Sequence, residues 1–312
     1  MLKLINLGLL SGLFFSATFV LNEIMSEQGG HWFWSASLRY LFMVIFLLII
    51  ALLSDGIKQL KQLLQLFLQH AVFWIVTGSI GFGAFYALIC FSADYSPGWI
   101  IAATWQFTIV ASLLVLMLFG RRFPSRVWLF STMIFFGVLL INLSQATEVS
   151  INQLLFGALP VLLAAFCYPL GNQLVWEVRQ GQHKKLPKIH SPLLDKAFNK
   201  VLLMSLGSIP MWIVLGLFVQ PGLPEKSQIL NTALVALFSG VIATSIFIYA
   251  RTKATKASEL AGVDATQASE VVFAMIAGLI LLNSVQINLL AICGLAFVFI
   301  GLGFFVLYQN RP

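Results

Sequence analysis

Ten apolar runs divide this chain, at residues 4–22, 32–53, 72–93, 98–120, 127–144, 154–176, 201–219, 232–250, 263–282 and 287–307. Each approaches the ~20 apolar residues an α-helix needs to cross a bilayer. Barrel strands do not fit, because they run to about 10 residues and alternate apolar with polar positions. The pattern predicts an all-α integral membrane protein with ten transmembrane helices, numbered 1 to 10 in chain order. Lys3 ahead of the first run matches the start of a secretory signal. No A-x-A site follows and nine more runs do, so the run is kept as helix 1.

The polar breaks carry the orientation. Lys and Arg gather on the cytoplasmic side of short loops, and alternate breaks here hold 16 of the 18 basic residues. These are Lys3, Lys58, Lys61, Arg121, Arg122, Arg126, Arg179, Lys184, Lys185, Lys188, Lys196, Lys200, Arg251, Lys253, Lys256 and Arg311. The opposite breaks hold only Lys226, and Arg39 lies within helix 2. Both termini are expected in the cytoplasm, with the chain in the cell inner (plasma) membrane. In the break after helix 2, Ile57, Leu60, Leu64 and Phe67 share one helical face, as in a helix lying at the interface; an extension of helix 3 is the alternative. The long polar link 179–200, expected in the cytoplasm between helices 6 and 7, reads as the joint between two halves.

Five helices cannot be duplicated without turning the second copy over, because an odd number ends on the other side of the membrane. The chain therefore divides into residues 1–150 and 151–312, two five-helix repeats of inverted topology. Many transporters use that arrangement to expose one central site to each side in turn. Asn22 and Glu23 near the end of helix 1 take places similar to Asn172 and Gln173 in helix 6, and Gln106 of helix 4 corresponds to Glu270 of helix 9. Gln106 and Glu270 each lie about eight residues into their helices, or about 12 Å at 1.5 Å per residue, near the midplane.

Composition sharpens the chemistry. The chain is 60% hydrophobic and 9% charged, against about 25% charged for a soluble domain. Its net charge of +7 is accounted for by orientation and anionic lipid headgroups, so no nucleic-acid partner is implied. Cys90, Cys167 and Cys293 all sit in apolar runs and suggest neither a disulfide framework nor a metal site. No cofactor is implied. HExxH, a serine elbow and a Walker loop are missing from the sequence, so neither an enzyme nor a primary pump is supported.

A charged side chain at mid-bilayer costs roughly 2.5–3.5 kcal/mol and normally faces a partner or a wet cavity. Burial also disfavours the ionised form of an acid. Glu270 is therefore expected to accept a proton, to pair with a cation, or to do both; the alternative is an ion pair with Arg39 that ties helix 2 to helix 9. Glu23 is either a cavity residue or a solvated helix end. For Arg39 the choices are a structural pair and substrate contact. Asn22, Asn172, Gln173 and Gln106 could line a polar cavity or bond between helices. Trp105, Tyr86, Tyr168, Phe82 and Phe273 are candidates for an aromatic wall, which would attract an organic cation. His31, beside Trp32 and Trp34, reads as solvated at an aromatic belt. Gly78, Gly81, Gly83 and Gly278 would permit close helix crossings.

The run "EVVFAMIAGLILL" followed by "INLLAICGLAFVFIGLGFFVL" resembles helices 9 and 10 of EamA-type carriers in the drug/metabolite transporter superfamily. "TWQFTIVASLLVLMLFGRRFPSRVWLFSTMIFFGVLLIN" is similar to their helices 4 and 5, and "FSATFVLNEIMSEQGGHWFWSASLRY" is most similar to the branch named "putative multidrug resistance efflux transporter". The resemblance spans nearly the whole chain. One departure is Val271, which stands where the family commonly has Pro after the helix 9 carboxylate. By helix number, Glu23 resembles the helix 1 acid of small multidrug resistance proteins, for which proton and cationic drug compete. The resemblance implies a ten-helix carrier with a small-molecule substrate and protons as coupling ion, exporting organic cations or drug-like amphiphiles by alternating access. A metabolite such as an amino acid, nucleoside or choline-like amine is the alternative cargo. Ten helices suffice to enclose a cavity, so a monomer is sufficient and a dimer is compatible.

Overall fold

The computed structural model describes residues 2–120, 125–144, 151–180, 186–253, 263, 266–282 and 287–308. Ten apolar helices occur among them: α1 (Leu2–Glu27), α2 (Trp32–Gln69), α3 (Ala71–Ser92), α4 (Gly98–Leu118), α5 (Ser125–Leu143), α6 (Ile151–Gln180), α7 (Ala197–Val219), α8 (Lys226–Phe247), α9 (Thr266–Leu281) and α10 (Leu289–Tyr308). Seven of these are long and apolar enough to cross a membrane by themselves, and α5, α9 and α10 supply shorter apolar segments. This is a multi-pass membrane protein. Its outward faces stay apolar, as with Leu13, Leu41, Ile49, Phe136 and Ile280, while serines, threonines and the membrane carboxylates turn inward. Without water in the bilayer core, most buried polar groups find their partners inside the bundle.

Several helices depart from uniform α geometry. α2 breaks at Gly56, where φ is +75°, so 57–69 forms a separate helical arm. On that arm Leu63 and Leu66 are buried, whereas Ile57 and Leu64 of the predicted face are exposed. The arm is apolar over more than half its circumference, so periodicity could not single out the packed side. α3 widens into a π-helical segment at Ser79–Ala84 and α8 does so at Ala236–Ala243. α4 is interrupted by a tight turn at Gln106 and Phe107. A 3₁₀ turn at Thr266–Ala268 opens α9, and Val271 beyond it continues a regular helix.

The helix contacts have a symmetry of their own. α1 packs on α8 and α9 as α6 packs on α3 and α4, and α2 packs on α8 as α7 packs on α3. α2 with α7, α4 with α9 and α5 with α10 also meet. Exchanging 1 with 6, 2 with 7, 3 with 8, 4 with 9 and 5 with 10 maps these contacts onto one another, whereas the contacts α1–α4, α2–α3 and α4–α5 stand outside the correspondence. The α3–α7 crossing is made possible by glycine, since a Cβ on Gly78 would lie 2.8 Å from the Gly207 carbonyl carbon. At α5–α10, Gly137 would meet the Gly294 carbonyl oxygen at 2.7 Å.

The link after α6 lies between the sixth and seventh helices, so it does not fall at a five-plus-five boundary as expected of a joint between two halves. Arg179 pairs with Asp195 and Lys196 with Asp55, which gathers the end of α6, the start of α7 and the end of the first part of α2 at one end of the bundle. Arg121, Arg122, Lys184, Lys185, Lys256 and Arg311, counted above for orientation, lie outside the described residues.

Candidate functional site

A cavity of about 180 Å³ lies at the centre of the bundle, walled by side chains from α1, α2, α3, α4, α6, α7, α8 and α9. Neither α5 nor α10 contributes. Several of its polar groups come from or beside irregular backbone: Gln106 from the turn in α4, Gln267 from the 3₁₀ start of α9 with Glu270 in the α-helical turn that follows, and Ser239 from the π-segment of α8, while Arg39 and Thr18 come from regular helix. Non-α backbone at membrane depth is tolerated where it lines a cavity or is buried in protein.

Glu270 is 6% exposed and has no hydrogen bond or ion pair to any described residue. The predicted pair with Arg39 does not form, although both side chains line this cavity. Instead, Arg39 Nη2 donates to Ser239 Oγ at 3.1 Å, and its guanidinium carbon sits 3.9 Å from the centroid of the Tyr86 ring. Arg39 Nε and Nη1 are buried without an acceptor among the described residues. Thr18 donates to the same Ser239 Oγ at 2.7 Å, and Thr244 to the Ser239 carbonyl at 3.1 Å.

The remaining predicted residues divide. Trp105, Tyr168 and Gln106 line the cavity with Arg39 and Glu270. Trp105 lies against Tyr168, with Phe85 packed on both, so part of the aromatic wall exists; Phe82 lines it and Phe273 does not. Tyr86 is fully buried behind Arg39, and Asn22 Nδ2 donates to its hydroxyl at 3.1 Å. Both stand behind the cavity wall. Glu23 does neither thing expected of it: it is 4% exposed and its Oε2 accepts from Gly98 N at 2.7 Å, at the first turn of α4. Asn172 is exposed and bonds back to the Tyr168 carbonyl, and Gln173 donates to Glu177 on its own helix. Neither reaches the cavity. His31 caps α2 by accepting from Phe33 N.

Ser239, Thr18 and Gln267 were not singled out from sequence. Hydroxyls are common in membrane helices and readily bond to their own backbone, so nothing in composition marks those two. Gln267, three residues before Glu270, was a visible polar signal. Among the described residues no group of three metal-ligating side chains occurs, and Cys90, Cys167 and Cys293 are free thiols.

Comparison with known proteins bears on what this cavity serves. The family model described as "EmrE: Putative multidrug resistance efflux transporter" matches residues 2–311. A Bacillus subtilis (strain 168) protein named "Uncharacterized protein YjlA" is 39% identical over 317 aligned positions, covering 96% of this chain and 93% of the relative. A Shouchella clausii relative named "Uncharacterized 42.1 kDa protein in intracellular alkaline protease 3'region" is 40% identical, covering 82% of this chain and 66% of its own length. A solved structure titled "Crystal structure of protein" shares the fold, with a TM-score of 0.61 at 14% identity over 99% of both chains.

Proposed function

Because the chain belongs to the multidrug resistance efflux transporter family of the drug/metabolite transporter superfamily, and is a membrane transporter of that kind, we propose that it is a proton-coupled exporter of small amphiphilic molecules bearing a cationic group. The observation that carries this is Glu270: a buried carboxylate, unpaired among the described residues, in the wall of a central cavity. An acid so placed is stable protonated and can exchange its proton for a cation. Binding and proton release then become one event.

Alternating access is the motion this reading assigns to the two halves. The helix contacts that map onto one another on exchanging the halves, and the π-segments in both third helices (α3 and α8), support an inverted repeat turning about the cavity. The clustering of basic residues at alternate breaks supports cytoplasmic termini, and an inner-membrane location goes with it. A second reading, a metabolite as cargo, is favoured by size. About 180 Å³ is below the roughly 300–1,000 Å³ of drug-sized pockets.

The test is proton release from full-length protein in weakly buffered detergent on addition of phenethylammonium. The wild type should release protons in proportion to occupancy, and Glu270→Gln should release none. Release that persists in Glu270→Gln would sink the assignment.

A further inference from the structure

The cavity has a second charge that proton–cation exchange leaves unused. Arg39 is 7% exposed and part of the cavity wall. Among the described residues the ion pairs are Arg179–Asp195 and Lys196–Asp55, both at the end of the bundle. Arg39 is thus not neutralised by any described acid. Among the described residues it has one hydrogen bond, to Ser239, the rings of Tyr86 and, farther off, Tyr40, and two buried nitrogens, Nε and Nη1, without an acceptor.

Leaving a buried donor unpaired costs about 1–3 kcal/mol, and more when the group is charged. The guanidinium fork matches a carboxylate, and the arrangement around it is built rather than incidental. Asn22 holds the Tyr86 hydroxyl, Tyr86 supports the face of the guanidinium, and Ser239, itself taking a bond from Thr18, fixes one end. The tyrosine hydroxyls and the Cys90 thiol nearby are weak acids that stay neutral at ordinary pH and supply no counter-charge. A simple organic cation entering this cavity would gain from Glu270 and be repelled by Arg39. A cargo with an anionic group as well would satisfy both.

We infer that the transported molecule is a small zwitterion: its carboxylate on Arg39, its ammonium on Glu270, and a one-ring apolar body against Trp105, Tyr168 and Phe85. The size agrees, since a cavity of about 150 Å³ accepts benzene. This rests on the central cavity being the transport site and narrows the cargo within that reading. Arg39 is then a specificity-determining residue.

The test uses three probes of one skeleton on purified full-length protein by isothermal titration: phenylalanine with both charges, phenethylammonium with the cation alone, and 3-phenylpropionate with the anion alone. Phenylalanine should bind at least tenfold more tightly than either analogue. Arg39→Gln should bring phenylalanine down to the phenethylammonium level while leaving phenethylammonium as tight or tighter. Arg39→Lys, which keeps the charge and loses the fork, should fall between. Because the three-probe comparison on wild type needs no variant, misfolding of either substitution leaves the proposal testable.

Each titration is repeated with chloride replaced by gluconate. Tighter phenethylammonium binding in chloride, with no advantage for phenylalanine, would show an inorganic anion at Arg39 and overturn the inference. Equal binding of phenylalanine and phenethylammonium, accompanied by proton release, would overturn it while leaving the exporter reading intact. No binding of any probe and no proton release would overturn both.

Discussion

Glu23 shows how a buried acid in a membrane helix can be structural. It sits at the first turn of α4, where unpaired N–H groups and the helix dipole favour negative charge. Glu23→Ala would strand the Gly98 N–H in a closed crossing, so a loss of about 1–3 kcal/mol is expected, read as a lower melting temperature in detergent. Proton release on adding phenethylammonium should persist, because Glu23 lies outside the cavity wall. Unchanged stability with lost release would instead make Glu23 a transport acid. Asp94, in the turn between α3 and α4, differs. Partial burial holds its carboxyl above the usual range, outweighing donation from Ser26 Oγ at 2.6 Å and the influence of His31. A raised folded value means that the folded state binds the proton more tightly, so stability is present in acid and lost as pH rises from about 3.9 through the raised value. Asp94→Asn should therefore raise the melting temperature at pH 7.5 and not at pH 4. At this scale a lone carboxylate in an apolar run was legible, while α9 begins at Thr266 and so places Glu270 nearer its start than the run predicted. The lack of a partner was not legible, because pairing depends on rotamers and on the distance between two helices.

Among the elements, run length located all ten helices, because the thickness of a bilayer sets it. It missed the last turns of α1, where Asn22 and Glu23 closed the run; both are tolerated because Tyr86 and Gly98 receive them. Nor did sequence locate the π-segments of α3 and α8, which depend on packing more than on propensity. The glycines of α3 were legible as crossing points. A Cβ on Gly207 would collide with the Trp74 carbonyl oxygen, a backbone atom that can yield only if the two helices separate. Gly207→Ala is expected to destabilise the fold by about 1–3 kcal/mol in a thermal unfolding assay. Gly222→Ala, with open space around it, should match the wild type.

Taken whole, the molecule divides its work. Eight helices wall the cavity, and α5 and α10 lie outside it against each other. Gln106 and Glu270, expected at equal depth from run length, both line one cavity, though Glu270 lies closer to the start of its helix. The proposed equivalence of Asn22–Glu23 with Asn172–Gln173 ends at position along the helix, since the first pair is buried between helices and the second is partly exposed and bonds within its own. The α5–α10 contact also bears on how the chain assembles. Four helices lie between α5 and α10 in the chain, so Gly137 of α5 has no mate until α10 has been made. Contacts this distant in sequence form late, so α6 to α10 must all reach the bilayer before α5 can be sealed against its mate.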